Sequence, residues 1–281
     1  VIYGMKVVVQ KIDLDTCLTG LILGIKDSDE VIVTQKEEEK YIYDPSFTCI
    51  ESGGSGLIEF NNFDHHDQSI QLPPACRQAY ESKNLQDETM ERLMDYVCMV
   101  DERLKDHPII PFPSLSNIFS GMLILEKELK TQFFQGIKIL NRVLNDAIDP
   151  FSTMPDIADW QPYRKAKEAA FQRIEESLKE AKFYTAENGD KVGFMKSTEI
   201  GGSGTLYRAG CDIVVACNPS FGEPPVVKFT ISGNTKKVVH LLTHFDKIEK
   251  GWGGRETIIG SPRTGSHLTE KVVLEIVLKH L

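Results

Sequence analysis

The chain has 281 residues, 41% of them hydrophobic and 26% charged, a globular composition that excludes a mainly disordered state and a length that suggests two domains. No apolar run approaches the roughly 20 residues of a membrane helix, and Val1–Gly4 do not open a secretory signal. The net charge of −9 is uneven: residues 1–155 hold 14 basic against 25 acidic residues, and residues 156–281 hold 18 against 16, which disfavours a protein that tracks duplex DNA with a basic stripe. The six cysteines show no CxxC spacing and are expected as reduced thiols of a cytoplasmic protein rather than zinc ligands.

In chain order, Lys6–Val9 reads as a short apolar strand, followed by a helical stretch from Cys17 to Ile25. Val31–Thr34, Tyr41–Tyr43, Thr48–Ile50 and Ile58–Phe60 read as further strands, with Lys36–Lys40 a charged turn and Gly53–Gly56 a loop. Apolar residues at helical spacing predict helices over Glu88–Val100, Asn117–Leu129 and Phe133–Leu144. After a loop around 149–162, an amphipathic helix over Tyr163–Lys182 places Phe171, Ile174, Leu178 and Ala181 on one face. Strands follow at Lys191–Met195, Ile213–Ala216, Val226–Ile231 and Glu256–Gly260, with helices over Lys237–Glu249 and Leu268–Leu281. The glycine cluster Gly201–Gly204 reads as a loop. Strands alternating with helices define an α/β protein whose first sheet is mainly parallel.

Two sequence blocks carry chemistry. Asp13-Leu14-Asp15 follows a strand and precedes a helix, the position where open α/β sheets present ligand groups. On an extended exit, carboxylates at i and i+2 project to the same side, and divalent ions take such oxygen ligands. Asn62-Phe63-Asp64-His65-His66-Asp67 follows a second apolar segment and sets two imidazoles among carboxylates. Imidazole binds Mn, Fe, Co and Zn ions, and a neighbouring carboxylate fixes its tautomer.

These residues resemble the DHH phosphoesterases, whose pattern is His-x-x-x-Asp-x-Asp at an early strand, a middle acidic residue, Asp-His-His, and a later aspartate. Asp13 and Asp15 match the first motif and Asp64-His65-His66 the third. Asp101, at the end of an apolar stretch, is the best match to the fourth. Glu51 stands thirteen residues before Asp64, where one branch of the family places a bridging aspartate, with Asp44 as the alternative. Val9 occupies the position of the leading histidine. Near the end of the chain, the Gly251–Ser266 segment is similar to the glycine-rich loop of the family's C-terminal substrate domain, of the type called DHHA1, with the loop histidine missing and Arg255 or Glu256 in its neighbourhood.

The resemblance implies a DHH-type sheet domain over 1–155, a linker helix over 156–182 and a smaller α/β substrate domain over 183–281. It implies metal-assisted hydrolysis of a phosphoester or phosphoanhydride, with Asp13, Asp15, Glu51, His65 and Asp101 holding Mn or Mg. Because Val9 cannot bind metal, one ion is favoured over two. His65 and His66 are the expected catalytic histidines, with His66 contacting the phosphate or shuttling a proton. Gly253, Gly254, Arg255, Ser261 and Arg263 are the expected substrate-binding residues, where glycines let backbone N–H groups approach an anion and arginines clamp oxygens bidentately. The expected partner is a phosphorylated small molecule or short oligonucleotide, with no membrane and no duplex DNA, and a homodimer is left open. Two other readings stand beside the hydrolase: a non-catalytic relative that keeps the fold after losing part of the metal centre, and a nucleic-acid-binding module.

Overall fold

The computed structural model describes residues 4–67, 69–102, 110–199 and 201–281; the signal-peptide reading of the first three residues lies outside them. Chain contacts divide it into two compact units, Val1–Lys167 and Glu168–Leu281.

In the first unit, β1 (Lys6–Val9), β2 (Glu30–Val33), β3 (Phe47–Ile50) and β4 (Asn62–Phe63) form a fully parallel sheet in the order β2-β1-β3-β4. Val7, Val8 and Val9 are all buried, the continuous apolar run expected of a strand covered on both faces. Register aligns the strand ends: Val9 lies opposite Ile50, and Ile50 opposite Phe63. The residues that follow these strands therefore leave along one edge of the sheet. The strand order reverses between β1 and β3, which opens a crevice at that edge.

Helices α1 (Leu14–Leu23), α2 (Glu39–Ile42), α3 (Ala75–Ser82), α4 (Glu88–Asp101), α5 (Leu115–Leu125) and α6 (Leu129–Asn145) complete the unit. Asp13 caps α1, its carboxylate accepting the Thr16 N–H at 3.0 Å. α1 and α6 meet closely enough that a Cβ on Gly136 would lie 2.4 Å from Cys17 Sγ, so glycine is required there. A single apolar cluster runs from Val7 to Trp160. α7 (Gln161–Lys179) carries the chain across the division between units.

The second unit is built on a mixed sheet in the order β5-β6-β7-β8-β10-β9, comprising β5 (Lys182–Thr185), β6 (Lys191–Lys196), β7 (Ile213–Phe221), β8 (Val226–Gly233), β9 (Gly253–Arg255) and β10 (Ile258–Gly260). Only β6 and β7 run parallel. Alternation along β7 sends Ile213, Val215 and Cys217 into a core with α9 (Leu242–Phe245) and α10 (Glu270–His280). Val214 joins a smaller cluster under α8 (Gly202–Arg208). Among the described residues no helix is long and apolar enough to cross a membrane.

Several expected elements differ. Tyr41–Tyr43 is the end of the short helix α2, and Ile58–Phe60 is a 3-10 turn; the pairing strand there is the two-residue β4. Lys237–Glu249 holds two short turns of helix rather than one long helix. The glycine cluster at 201–204 leads into α8 instead of forming a loop, with Gly202 packed beside Met195.

Candidate metal centre

The side chains that leave the aligned strand ends converge. Asp15 follows β1, Glu51 follows β3, and His65 and His66 follow β4. Asp101 arrives separately as the last residue of α4. His65 Nε2 is the hub: it lies 3.1 Å from Glu51 Oε1, 3.3 Å from Asp101 Oδ2 and 3.9 Å from Asp15 Oδ2. Two overlapping groups have metal-ligand spacing, Asp15–His65–Asp101 and Glu51–His65–His66.

Each group is held by local structure. Asp15 is 1% exposed, and its two oxygens accept the first two backbone N–H groups of α3, from Ala75 at 2.8 Å and Cys76 at 2.7 Å. A helix N-terminus is a favourable seat for a carboxylate. Glu51 sits in the left-handed region at φ 50°, a conformation that costs a residue with a side chain about 1–2 kcal/mol. It turns the carboxylate back into the crevice.

Asp64 braces the loop: its carboxylate accepts from Gly53 N–H at 3.2 Å, His66 N–H at 2.8 Å and the Ser55 hydroxyl. Burial works against its charge, but these hydrogen bonds hold its carboxyl well below the usual carboxylate range. His66 is half exposed, with Nδ1 3.6 Å from both Asp64 Oδ2 and Glu51 Oε1. Asp64, opposing burial, raises its pKa. A cavity of about 530 Å³ opens beside it, lined by Glu37, Tyr43, Gly54, Ser55, Leu57 and Asp67 among others.

The electrostatics set buried carboxyl groups against a raised imidazole. Burial raises the carboxyl groups of Asp15, Glu51 and Asp101 above their ordinary values; repulsion by Glu51 and Asp101 adds to this at Asp15, and repulsion by Asp13 adds to it at Glu51 and Asp101. The Glu51 carboxylate, followed by Asp101 and Asp15, raises His65 to about 9. Glu51 Oε1 and His65 Nε2 are both buried, and neither has a hydrogen-bond partner despite their proximity. Two buried ligand atoms that face each other at 3.1 Å without a hydrogen bond, with two further carboxylates around them, fit a divalent cation.

Asp13 is near enough to raise Glu51 and Asp101 electrostatically, but its own carboxylate is committed to capping α1 and to Lys11 Nζ at 3.1 Å, outside both groups. Asp44 turns to the Ser46 N–H and takes no part in either group. Val9 is fully buried in the apolar cluster. The amides of Ala75 and Cys76 escaped the sequence reading, although Pro73-Pro74 directly before them is a helix-start signal.

In the second unit, Gly253, Gly254 and Arg255 form the edge strand β9. Gly254 has φ 154°, and a Cβ there would lie 2.2 Å from the Ile258 carbonyl oxygen. Ser261 is buried, its hydroxyl accepting the Phe229 N–H at 2.9 Å and its carbonyl accepting the Lys228 ammonium. Arg255 and Arg263 are exposed, and among the described residues neither forms an ion pair.

No protein-family model matches the sequence, and no curated protein matches it. Among solved structures, the pGpG-specific phosphodiesterase PggH from Vibrio cholerae is similar over 92% of this chain and 92% of its own, at 13% identity and a TM-score of 0.53. The DHH domain of a member of the s1p family of ribosomal proteins covers 97% of this chain and 85% of its own, at 12% identity and a TM-score of 0.42. The likeness to the phosphodiesterase is one of fold: the chain is an α/β protein with a parallel sheet in its first unit and a mixed sheet in its second.

Proposed function

We propose that the chain is a divalent-metal-dependent phosphoesterase acting on a nucleotide or short oligonucleotide. The observation that carries this reading is the convergence of Asp15, Glu51 and Asp101 on His65 Nε2, with Glu51 Oε1 and His65 Nε2 buried and without a hydrogen bond. Its fold likeness to a phosphodiesterase that acts on the dinucleotide pGpG supports the substrate class.

Asp15, Glu51, His65 and Asp101 would hold one Mn or Mg ion, with Asp13 beside them. Bound there, the ion supplies a Lewis acid and lowers the pKa of a coordinated water, the usual source of hydroxide at neutral pH. The α3 amides fix the Asp15 carboxylate, so this ligand is oriented before any ion arrives. Asp64 and Glu51 both face His66 Nδ1, which leaves Nε2 free to donate a proton to a phosphoryl or leaving-group oxygen. The cavity beside His66 gives a substrate group room. The second unit would serve as a DHHA1-like substrate domain, with Arg255, Arg263 and the Gly253-Gly254 strand holding phosphate oxygens.

The test is hydrolysis of bis-p-nitrophenyl phosphate and of pGpG with and without Mn, alongside metal analysis. Mn-dependent turnover that is lost in His65→Ala and Asp101→Asn supports the hydrolase. Tight binding of a nucleotide without turnover would favour the non-catalytic relative. Binding to single strands that weakens steeply with salt and ignores Mn would favour a nucleic-acid module.

A further inference from the structure

Behind the carboxylate–histidine centre lie two thiols. Cys76 is the second residue of α3 and Cys98 lies in the last turn of α4. Their sulfurs are 3.8 Å apart, within hydrogen-bonding contact for sulfur, and among the described residues no other two thiols meet this way. The pair joins the two helices that position two of the site's carboxylates. The Cys76 backbone N–H is a donor to Asp15, and Asp101 follows Cys98 by three residues on α4.

We propose that Cys76 and Cys98 form a reversible disulfide on exposure to hydrogen peroxide, and that this bond detaches Asp15 from the α3 amides. A disulfide has an S–S length of about 2.05 Å, so the two sulfurs must close by roughly 1.8 Å. Side-chain rotation takes up part of that distance. The rest falls on α3 and α4 in a core where Cys76 is completely buried and Cys98 is 6% exposed, with little slack to absorb it. Asp15 is held by two hydrogen bonds of 2.7 and 2.8 Å to the first residues of α3, so a helix shift of a fraction of an ångström is felt there first.

The chemistry assigns the two thiols different parts. Cys98 is the less deeply buried of the two, 6% exposed against none for Cys76, and the Arg77 guanidinium lies beside it. The Cys76 hydrogen bond, followed by Arg77, lowers the Cys98 thiol below its ordinary value, which favours the thiolate that peroxide oxidises. The Cys98 thiolate attacks one peroxide oxygen, the O–O bond breaks, and hydroxide leaves, giving a sulfenic acid. The Cys76 sulfur then attacks the Cys98 sulfur, and the sulfenic hydroxyl departs as water with the Cys76 proton. Overall, two thiols lose two electrons and two protons, and one peroxide becomes two waters.

The formation of the bond is independent of the proposed hydrolase; only its effect on metal affinity rests on that reading. The experiment treats the reduced full-length chain with hydrogen peroxide, blocks free thiols by alkylation and maps peptides by mass without reduction. The expected product is a Cys76–Cys98 cross-link that disappears on treatment with dithiothreitol, while Cys76→Ser stops at a sulfenic acid on Cys98 that dimedone traps. No cross-link, or one between other cysteines, overturns the proposal. Hydrogen exchange on metal-free protein then reads the consequence: the Ala75 and Cys76 amides should exchange at least about tenfold faster when oxidised, the local opening expected when their acceptor is lost. Unchanged protection at these two amides would refute the detachment. Mn titration is a separate readout, with affinity expected to fall about 10–100-fold on oxidation, as when a ligand's supporting hydrogen bonds are removed.

Discussion

Glu51→Gln separates a residue kept for a cation from one kept for the fold. Glu51 is 8% exposed, strained at φ 50°, and its Oε1 has no hydrogen-bond partner. With Asp15 and Asp101 it places three carboxylates around a single imidazole, a surplus of buried negative charge in the absence of metal. Glutamine keeps the shape and removes one charge, so the metal-free variant should be as stable as the wild type or up to about 1 kcal/mol more stable. Mn should reverse the ranking. At a concentration 100 times its Kd, a ligand stabilises by about 2.7 kcal/mol, which for a chain of this size raises Tm by roughly 5–11 °C. If the lost ligand weakens Mn about 100-fold, the same concentration stabilises Glu51→Gln by only about 0.4 kcal/mol, roughly 1 °C. Thermal unfolding of both proteins with and without Mn provides all four numbers. The reasoning fails if Mn leaves the wild type unmoved, if it raises both proteins equally, or if the metal-free variant loses several kcal/mol.

Proton linkage should be visible in the same assay. His65, raised to about 9, contributes stability that is complete below its ordinary value near 6.5 and is lost as pH rises through 9. The raised carboxyls of Asp15, Glu51 and Asp101 destabilise the fold as pH climbs above the ordinary carboxylate range, so both signs make the metal-free protein less stable in alkali. Mn must displace the His65 proton, so calorimetry between pH 6 and 8 should show affinity rising about tenfold per pH unit. Asp64→Ala strands the Gly53 and His66 N–H groups and the Ser55 hydroxyl, and urea unfolding should show a loss of about 2–4 kcal/mol; a loss below about 1 would mean that water replaces these bonds. Val9→His places an imidazole at a fully buried position and should cost about 1–3 kcal/mol. If the resemblance assigns this position correctly, the variant binds a second equivalent of Mn, whereas a wild type that already binds two leaves Val9 as a packing residue alone.

Much of the candidate site was legible because its residues are contiguous and sit at strand ends. Asp13-Leu14-Asp15 and Asp64-His65-His66 each follow an apolar strand, and a parallel sheet brings such exits to one edge. The strands themselves were less legible where they were shortest. β4 has only two residues, and the apolar Leu57–Phe60 stretch just before it looks as strand-like as β4 while forming a 3-10 turn. α3 was invisible to periodicity because its eight residues mix buried alanine and cysteine with Arg77, Gln78 and Glu81. Its role is non-local: its first amides hold a carboxylate 60 residues earlier in the chain, and no spacing rule contains that distance.

The aspartate pair shows where local reasoning diverges from the fold. On an extended exit, carboxylates two residues apart point the same way. Here α1 begins at Leu14, so Asp13 is its cap and Asp15 already lies in its first turn. Each helical residue rotates the side-chain direction by about 100°, so a helix turns neighbours at i and i+2 roughly 200° apart rather than aligning them. Asp15 is directed to His65 and the α3 amides, while Asp13 is held by the Thr16 N–H and Lys11. The onset of the helix, one residue earlier or later, thus decides how many of the two carboxylates face His65. With Asp13 held at the cap and Val9 in the core, the side chains gathered around His65 form the two overlapping groups Asp15–His65–Asp101 and Glu51–His65–His66.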